Sequence, residues 1–231
     1  MPRIALLLIL ALLASRAHAQ EAVDVALVVV DDVSGSINDD EYETQKRGYF
    51  AAFTAPTVIA AIQGGANGQI AVAYVEFASD FQVRTVLTWM IVKDAASAHA
   101  FAEAMRAAPR SFRGRTAIGA GIDEAMHQLE KLPVAADRKV IDVCGDGTSN
   151  LGRPVSEARD DAAKKGVVIN GLALANESNT PWLQAHTHPP GGLGNYYREN
   201  VTTGVGSFVI EISNYESFAE AIKRKLIQEI S

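Results

Sequence analysis

A single cysteine among 231 residues excludes an intrachain disulfide, so the fold must be held by its core. Cys144 itself ends an apolar segment, where a thiol reads as a small buried hydrophobe rather than a nucleophile. Positive charge is scarce too: 21 Lys and Arg stand against 27 Asp and Glu, a formal net charge of −6, which offers no cationic surface to nucleic acid. No stretch is apolar for long enough to cross a bilayer. The one uninterrupted run, Ile4 to Ala14, is about half the ~20 residues a spanning helix needs. It follows Arg3 and leads to Ala17-His18-Ala19, the order of a secretory signal with its small-residue cleavage site. The expectation is a signal peptide over residues 1–19 and one exported, periplasmic domain over residues 20–231. Common catalytic signatures are missing as well. There is no G-x-S-x-G elbow, P-loop lysine or D-x-D pair, and Gly119-Ala120-Gly121 lacks the preceding strand of a dinucleotide fingerprint.

What remains is an alternation of strands and helices. Residues 23–30 are apolar and β-branched, as in a parallel strand buried on both faces. Asn38 is placed to cap a helix running to about Gln63, which Pro56 should end or kink. Residues 69–77 and 82–89 read as two strands whose short connection makes them antiparallel. A helix over 94–107, a basic loop over 109–115 and a helix from Thr116 follow. Strands are expected at 138–144, 167–174 and 207–212, with helices at 154–165, around 196–200 and at 215–230, and a long loop over 175–195. This order predicts a doubly wound α/β fold: a mostly parallel six-stranded sheet with one antiparallel edge strand and helices on both faces. In such sheets ligands bind beyond the carboxyl ends of the strands.

Three polar elements fall on that rim. Asp32-Val33-Ser34-Gly35-Ser36 closes the first strand, Thr116 enters a helix, and Asp146 follows the strand at 138–144. Alternate residues of a tight turn let Asp32, Ser34 and Ser36 face one centre, with Gly35 letting the backbone bend. Carboxylates and hydroxyls form a hard oxygen set suited to Mg2+, Mn2+ or Ca2+. Two carboxylates ~6 Å apart repel by roughly 3 kcal/mol at an effective dielectric of ~20, and a divalent ion reverses that sign.

Asp32-x-Ser34-x-Ser36, Thr116 and Asp146 resemble the metal-ion-dependent adhesion site of von Willebrand factor type A (vWA) domains. The likeness extends over residues 22–230 in element order. With VAYVEF, VIDVCGDG and YYREN, the chain resembles a secreted bacterial vWA subfamily catalogued as a domain of unknown function. The resemblance implies a Rossmann-like vWA fold and direct binding of Mg2+ or Mn2+ by Ser34 and Ser36. Thr116 would bind directly or through water, and Asp32 and Asp146 through water or as supporting partners. It also implies an open coordination position that takes an acidic residue from a partner protein. The expected function is therefore a metal-dependent protein-binding module, not an enzyme; the alternatives are a metal-assisted hydrolase and a structural vWA domain with an unused site.

Other residues are read more plainly. Asp31 is expected to face a polar loop, the alternative being that it assists the site from outside. Glu76 and Asp142 interrupt apolar strands, so each should find hydrogen-bond donors or a strand end. Arg110, Arg113 and Arg115 read as a solvated basic patch able to attract an acidic partner. His186 and His188, alternate residues in a Pro/Gly-rich loop, are weak as a metal pair and read as surface residues that shape partner binding.

Overall fold

A computed structural model describes residues 22–175 and 181–231. The signal peptide expected over 1–19 lies outside the described residues. The chain order is β1 (Ala22–Asp32), α1 (Asp39–Phe53), α2 (Pro56–Gln63), β2 (Ile70–Phe77), β3 (Val83–Val92), α3 (Ala95–Ala107), α4 (Ile118–Glu130), β4 (Ala135–Gly145), α5 (Val155–Lys164), β5 (Val168–Leu174), α6 (Pro181–Thr187), α7 (Leu193–Asn200), β6 (Val209–Ile212) and α8 (Phe218–Ile230). The six strands lie in the order β3-β2-β1-β4-β5-β6. Only the β2–β3 pair is antiparallel, and β3 is at the edge, as the short connection between them requires.

β1 occupies the centre because its β-branched run can be covered on both faces. Val25, Leu27 and Val29 point into the layer of α1, α2, α3 and α8, which supplies Tyr49, Phe53, Val58, Phe101, Phe218 and Leu226. Ala26, Val28 and Val30 point into the opposite layer, against Ile118, Ile122, Val155 and Tyr197 of α4, α5 and α7. Each fully buried Val, Leu or Phe in these layers contributes about 1.5–3 kcal/mol.

Local signals set the element ends. Asn38 Oδ1 accepts from the Glu41 N–H at 3.0 Å, and Glu41 Oε2 accepts from the Asn38 N–H at 2.8 Å, a reciprocal cap that starts α1. Pro56 ends the long expected helix by becoming the first residue of a second one, where its missing N–H has no helical partner to lose. Two expectations need correction. The loop expected over 175–195 contains α6 and the start of α7. The helix expected to begin at Thr116 begins at Ile118, and Ala117 at its N-cap position makes no side-chain cap.

The face under α8 carries a buried ion cluster. Lys225 Nζ lies 2.5 Å from Asp142 Oδ1 and also pairs with Glu229, all three side chains being wholly buried. Asn170 Nδ2 donates to Glu229 Oε1 at 3.0 Å. Asp142 thus does find a donor, the Lys225 ammonium, which also balances its charge. One ammonium facing two carboxylates leaves a surplus negative charge, and burial, with the Asp142 charge, pushes Glu229 up to about 7. The native state then holds a proton that the unfolded chain releases near the ordinary glutamate value of 4.5. Stability should fall as pH rises from about 4.5 to about 7 through this group. Urea unfolding at a series of pH values should show that slope flattened in Glu229→Gln; an unchanged slope would remove Glu229 as its source.

Candidate metal centre

The D-x-S-x-S segment leaves the sheet where β1 ends. Asp32 Oδ1 accepts from the Ser34 N–H at 2.7 Å, folding the turn back on its own carboxylate. Val33 donates its N–H to Phe77 O at 2.9 Å, and Gly35 donates to Gly114 O at 2.8 Å, which ties the turn to the ends of β2 and of the basic loop. Gly114 is needed where it stands: a Cβ there would lie 2.1 Å from Gln82 Oε1 and 2.6 Å from Ser79 Oγ.

The hydroxyls and carboxylates expected to act together do meet. Thr116 Oγ1 donates to Ser34 Oγ at 3.1 Å, Ser34 and Ser36 hydroxyls are 3.1 Å apart, and Ser36 Oγ donates to Asp146 Oδ1 at 2.7 Å. Asp32, Ser34, Thr116 and Asp146 are all buried, and Ser36 is half-buried. Thr116 is held by the segment after β4: Asn150 Oδ1 accepts from its N–H at 3.0 Å, and its carbonyl accepts from the Asn150 N–H at 2.8 Å. Burial, with the Asp146 charge, pushes the Asp32 carboxyl well above the usual carboxylate range, and burial pushes Asp146 up to about 6.

One atom is out of balance. Asp32 Oδ2 is buried with no hydrogen-bond partner, a cost of about 1–3 kcal/mol unless something positive meets it. No three His, Cys, Asp or Glu side chains cluster as metal ligands among the described residues. The donor set relies instead on three hydroxyls and two carboxylates, and that chemistry fits a hard divalent cation.

Three side chains take roles that the sequence did not suggest. Arg110 is not a solvated charge: its side chain is 8% exposed, and its guanidinium donates to the carbonyls of Val33 and Ser34 at 2.7 Å and of Ile37 at 2.9 Å. It also donates to Phe112 O at 3.1 Å and stacks over the Tyr42 ring at 5.3 Å, so it props the D-x-S-x-S loop from beneath. Arg113 stays exposed and pairs with Asp39.

Asp31 faces no polar loop. Strand alternation turns it to the face opposite Asp32, where the Tyr49 hydroxyl donates to it at 3.1 Å and the Tyr74 hydroxyl lies 3.2 Å away. Burial, with the neighbouring Glu76 charge, pushes Asp31 up to about 8. Glu76 accepts from Tyr42 at 2.8 Å, Tyr74 at 3.0 Å and the Ser111 N–H at 2.8 Å, so it does find donors as expected. Finally, His186 leaves the surface to stand 3.2 Å from Thr116 Oγ1, while His188 stays exposed beside Thr187. Burial, with the Arg115 cation, lowers the His186 pKa and favours its neutral form.

The architecture is shared with known proteins. It is similar to proximal thread matrix protein 1 from the mussel byssus, at 17% identity and a TM-score of 0.64 over 90% of this chain and 48% of that one. A form of the mussel protein with a zinc-occupied MIDAS motif is similar at 18% identity and 0.61, over 90% and 48% of the two chains. A von Willebrand factor type A protein from Catenulispora acidiphila matches at 18% identity and 0.61, over 90% and 43%. The pilus adhesin SpaC from Lactobacillus rhamnosus GG matches at 14% identity and 0.62, over 91% and 31%. The chain therefore spans about half or less of the length of each, and the likeness is one of fold. No curated protein matches in sequence. The family described as protein of unknown function (DUF1194) matches residues 22–231, and the chain belongs to that family, with a vWA-like fold.

Proposed function

We propose that the chain is a divalent-cation-dependent protein-binding module, exported to the periplasm through the signal-like segment at residues 1–19. The observation that carries this reading is the buried, unpartnered Oδ2 of Asp32 beside a connected set of Ser34, Ser36, Thr116 and Asp146 oxygens. Ser34 and Ser36 would hold Mg2+ or Mn2+ directly, with Thr116 beside them and Asp32 and Asp146 supplying the countercharge. A bound ion would neutralise the two carboxylates and offer a Lewis-acidic position to a carboxylate of a partner protein. Among the described residues neither serine hydroxyl meets a base other than the Asp146 carboxylate, and His186 is directed to Thr116. A binding role therefore suits the site better than hydrolysis. The surroundings also suit a partner. A cleft of about 390 Å³ lined by Gln82, Arg110, Ser111, Phe112 and Arg113 flanks the loop, and nearby Phe81 is 81% exposed. None of the described helices is long and apolar enough to cross a membrane.

Calorimetry with Mg2+ and Mn2+ tests the centre. Binding is expected in the unaltered protein, weakened at least ~10-fold in Asp32→Ala; no binding, or equal binding by the variant, would refute it. Capture of a periplasmic partner that chelation abolishes would support the module reading.

A further inference from the structure

His186 stands apart from the oxygen set yet is fitted into it. Its Nε2 lies 3.2 Å from Thr116 Oγ1, close to the 3.1 Å that separates Thr116 from Ser34 and Ser34 from Ser36. Ligands at right angles on a first-row divalent ion, each about 2.1 Å from it, stand about 3 Å apart. The imidazole nitrogen therefore stands from Thr116 at the spacing of neighbouring ligands, on the side of the hydroxyls rather than of the two carboxylates.

The seat is built for a ring. A Cβ on Gly147 would lie 2.1 Å from His186 Nε2, 2.4 Å from Cε1 and 2.6 Å from Cδ2, so the absent side chain at 147 is the space the imidazole fills. Gly147 directly follows Asp146, and its backbone does not need positive φ, which leaves room as the reason for glycine there. The backbone of the histidine is pinned as well, its carbonyl accepting from the Thr148 N–H at 3.0 Å. The far ring nitrogen, Nδ1, is 3.2 Å from Thr148 Oγ1 and 3.5 Å from Asn150 Nδ2. A proton on Nδ1 donated to the Thr148 oxygen leaves the Nε2 lone pair facing the hydroxyls, the tautomer a ligating histidine adopts. The Asn150 amide, at the limit of hydrogen bonding, and the Thr116 hydroxyl, whose proton goes to Ser34, favour the proton on Nε2, which a bound cation would displace.

We propose that His186 is a nitrogen ligand of the cation site, which shifts its preference from Mg2+ towards imidazole-binding ions of the zinc class. The proposal rests on the metal-centre reading above. Mg2+ takes oxygen and sheds water reluctantly, so a neutral imidazole adds little to its binding, whereas Zn2+ and Co2+ gain a strong donor. Asp32, Ser34, Ser36, Thr116 and Asp146 keep their places, and His186 adds selectivity.

The test is calorimetry of the unaltered protein, His186→Ala and Gly147→Ala with Zn2+, Co2+ and Mg2+ separately. Co2+ absorption and the Nε2 nitrogen resonance of labelled histidine serve as direct readouts. Both variants are expected to lose at least ~30-fold in Zn2+ and Co2+ affinity while Mg2+ changes by less than about threefold. Gly147→Ala keeps the histidine but evicts its ring, so agreement between the two variants separates ligation from a general loss of structure. A Zn2+-induced shift of Nε2 in the unaltered protein would support the assignment. Equal Zn2+ affinity in His186→Ala, with Zn2+ and Mg2+ still bound, would overturn the role of His186 and leave the oxygen site intact. Failure of any ion to bind the unaltered protein would overturn both.

Discussion

Lys225→Met is expected to destabilise the protein by about 3–5 kcal/mol at neutral pH, the largest effect of a single substitution away from the rim. The lysine is wholly buried between Asp142 of the sheet and Glu229 one helical turn further along α8. Methionine fills a similar volume, so the loss is electrostatic. Two carboxylates then remain in a low dielectric with Asn170 as the one hydrogen-bond donor to Glu229, and no hydrogen bond reaches Asp142. Urea unfolding should show the loss largest at high pH and smaller at pH 5, where the stranded carboxylates take up protons. Adding Asp142→Asn and Glu229→Gln to Lys225→Met should recover most of the stability, because a neutral cluster has no charge left to strand. A loss below about 1 kcal/mol in the single variant would show that water or relaxation already compensates the cluster.

Arg110→Ala is expected to cost about 3 kcal/mol or more and to weaken cation binding at least ~10-fold. The guanidinium satisfies carbonyls of Val33, Ser34 and Ile37 along the D-x-S-x-S loop and of Phe112 in its own. Removing it leaves carbonyls without donors, at about 1–3 kcal/mol for each that water cannot reach. It also frees the backbone that carries Ser34 and Ser36. Arg110→Lys should rescue little, since one ammonium cannot span three carbonyls as a planar fork does. Unfolding curves and calorimetry on the same samples check both effects. Full cation affinity in Arg110→Ala would show that the loop keeps its shape without this prop.

The contrast between the roles of Lys225 and Arg110 and those of the candidate metal residues explains what is legible in the sequence. Asp32, Ser34 and Ser36 are read from their spacing because one turn brings them together. Thr116 and Asp146 are read because each sits where an element meets the carboxyl rim. The sheet order is legible for the same reason: apolar runs and connection lengths leave few arrangements open. Arg110 has no such sign, because it bonds to carbonyls, which every residue possesses. His186 gives no such sign in the sequence, because its position depends on how a segment far along the chain folds over Gly147. Three other residues carry a signal in simple periodicity. Asp31 must face away from Asp32 in a strand, and Lys225 and Glu229 share a helix face with Phe218, Ala221 and Ile222. Reading them required accepting charge inside the core.

The lone thiol has a practical consequence. Cys144 is wholly buried in β4, beside Asp31 of β1 in strand register, and burial pushes its pKa well above the usual thiol value. An alkylating reagent can reach it when the helical layer of α1 and α8 lifts from that face of the sheet, so the rate of labelling under native conditions measures the free energy of that opening. With no second cysteine to confuse the signal, the protein carries its own reporter for every substitution considered above.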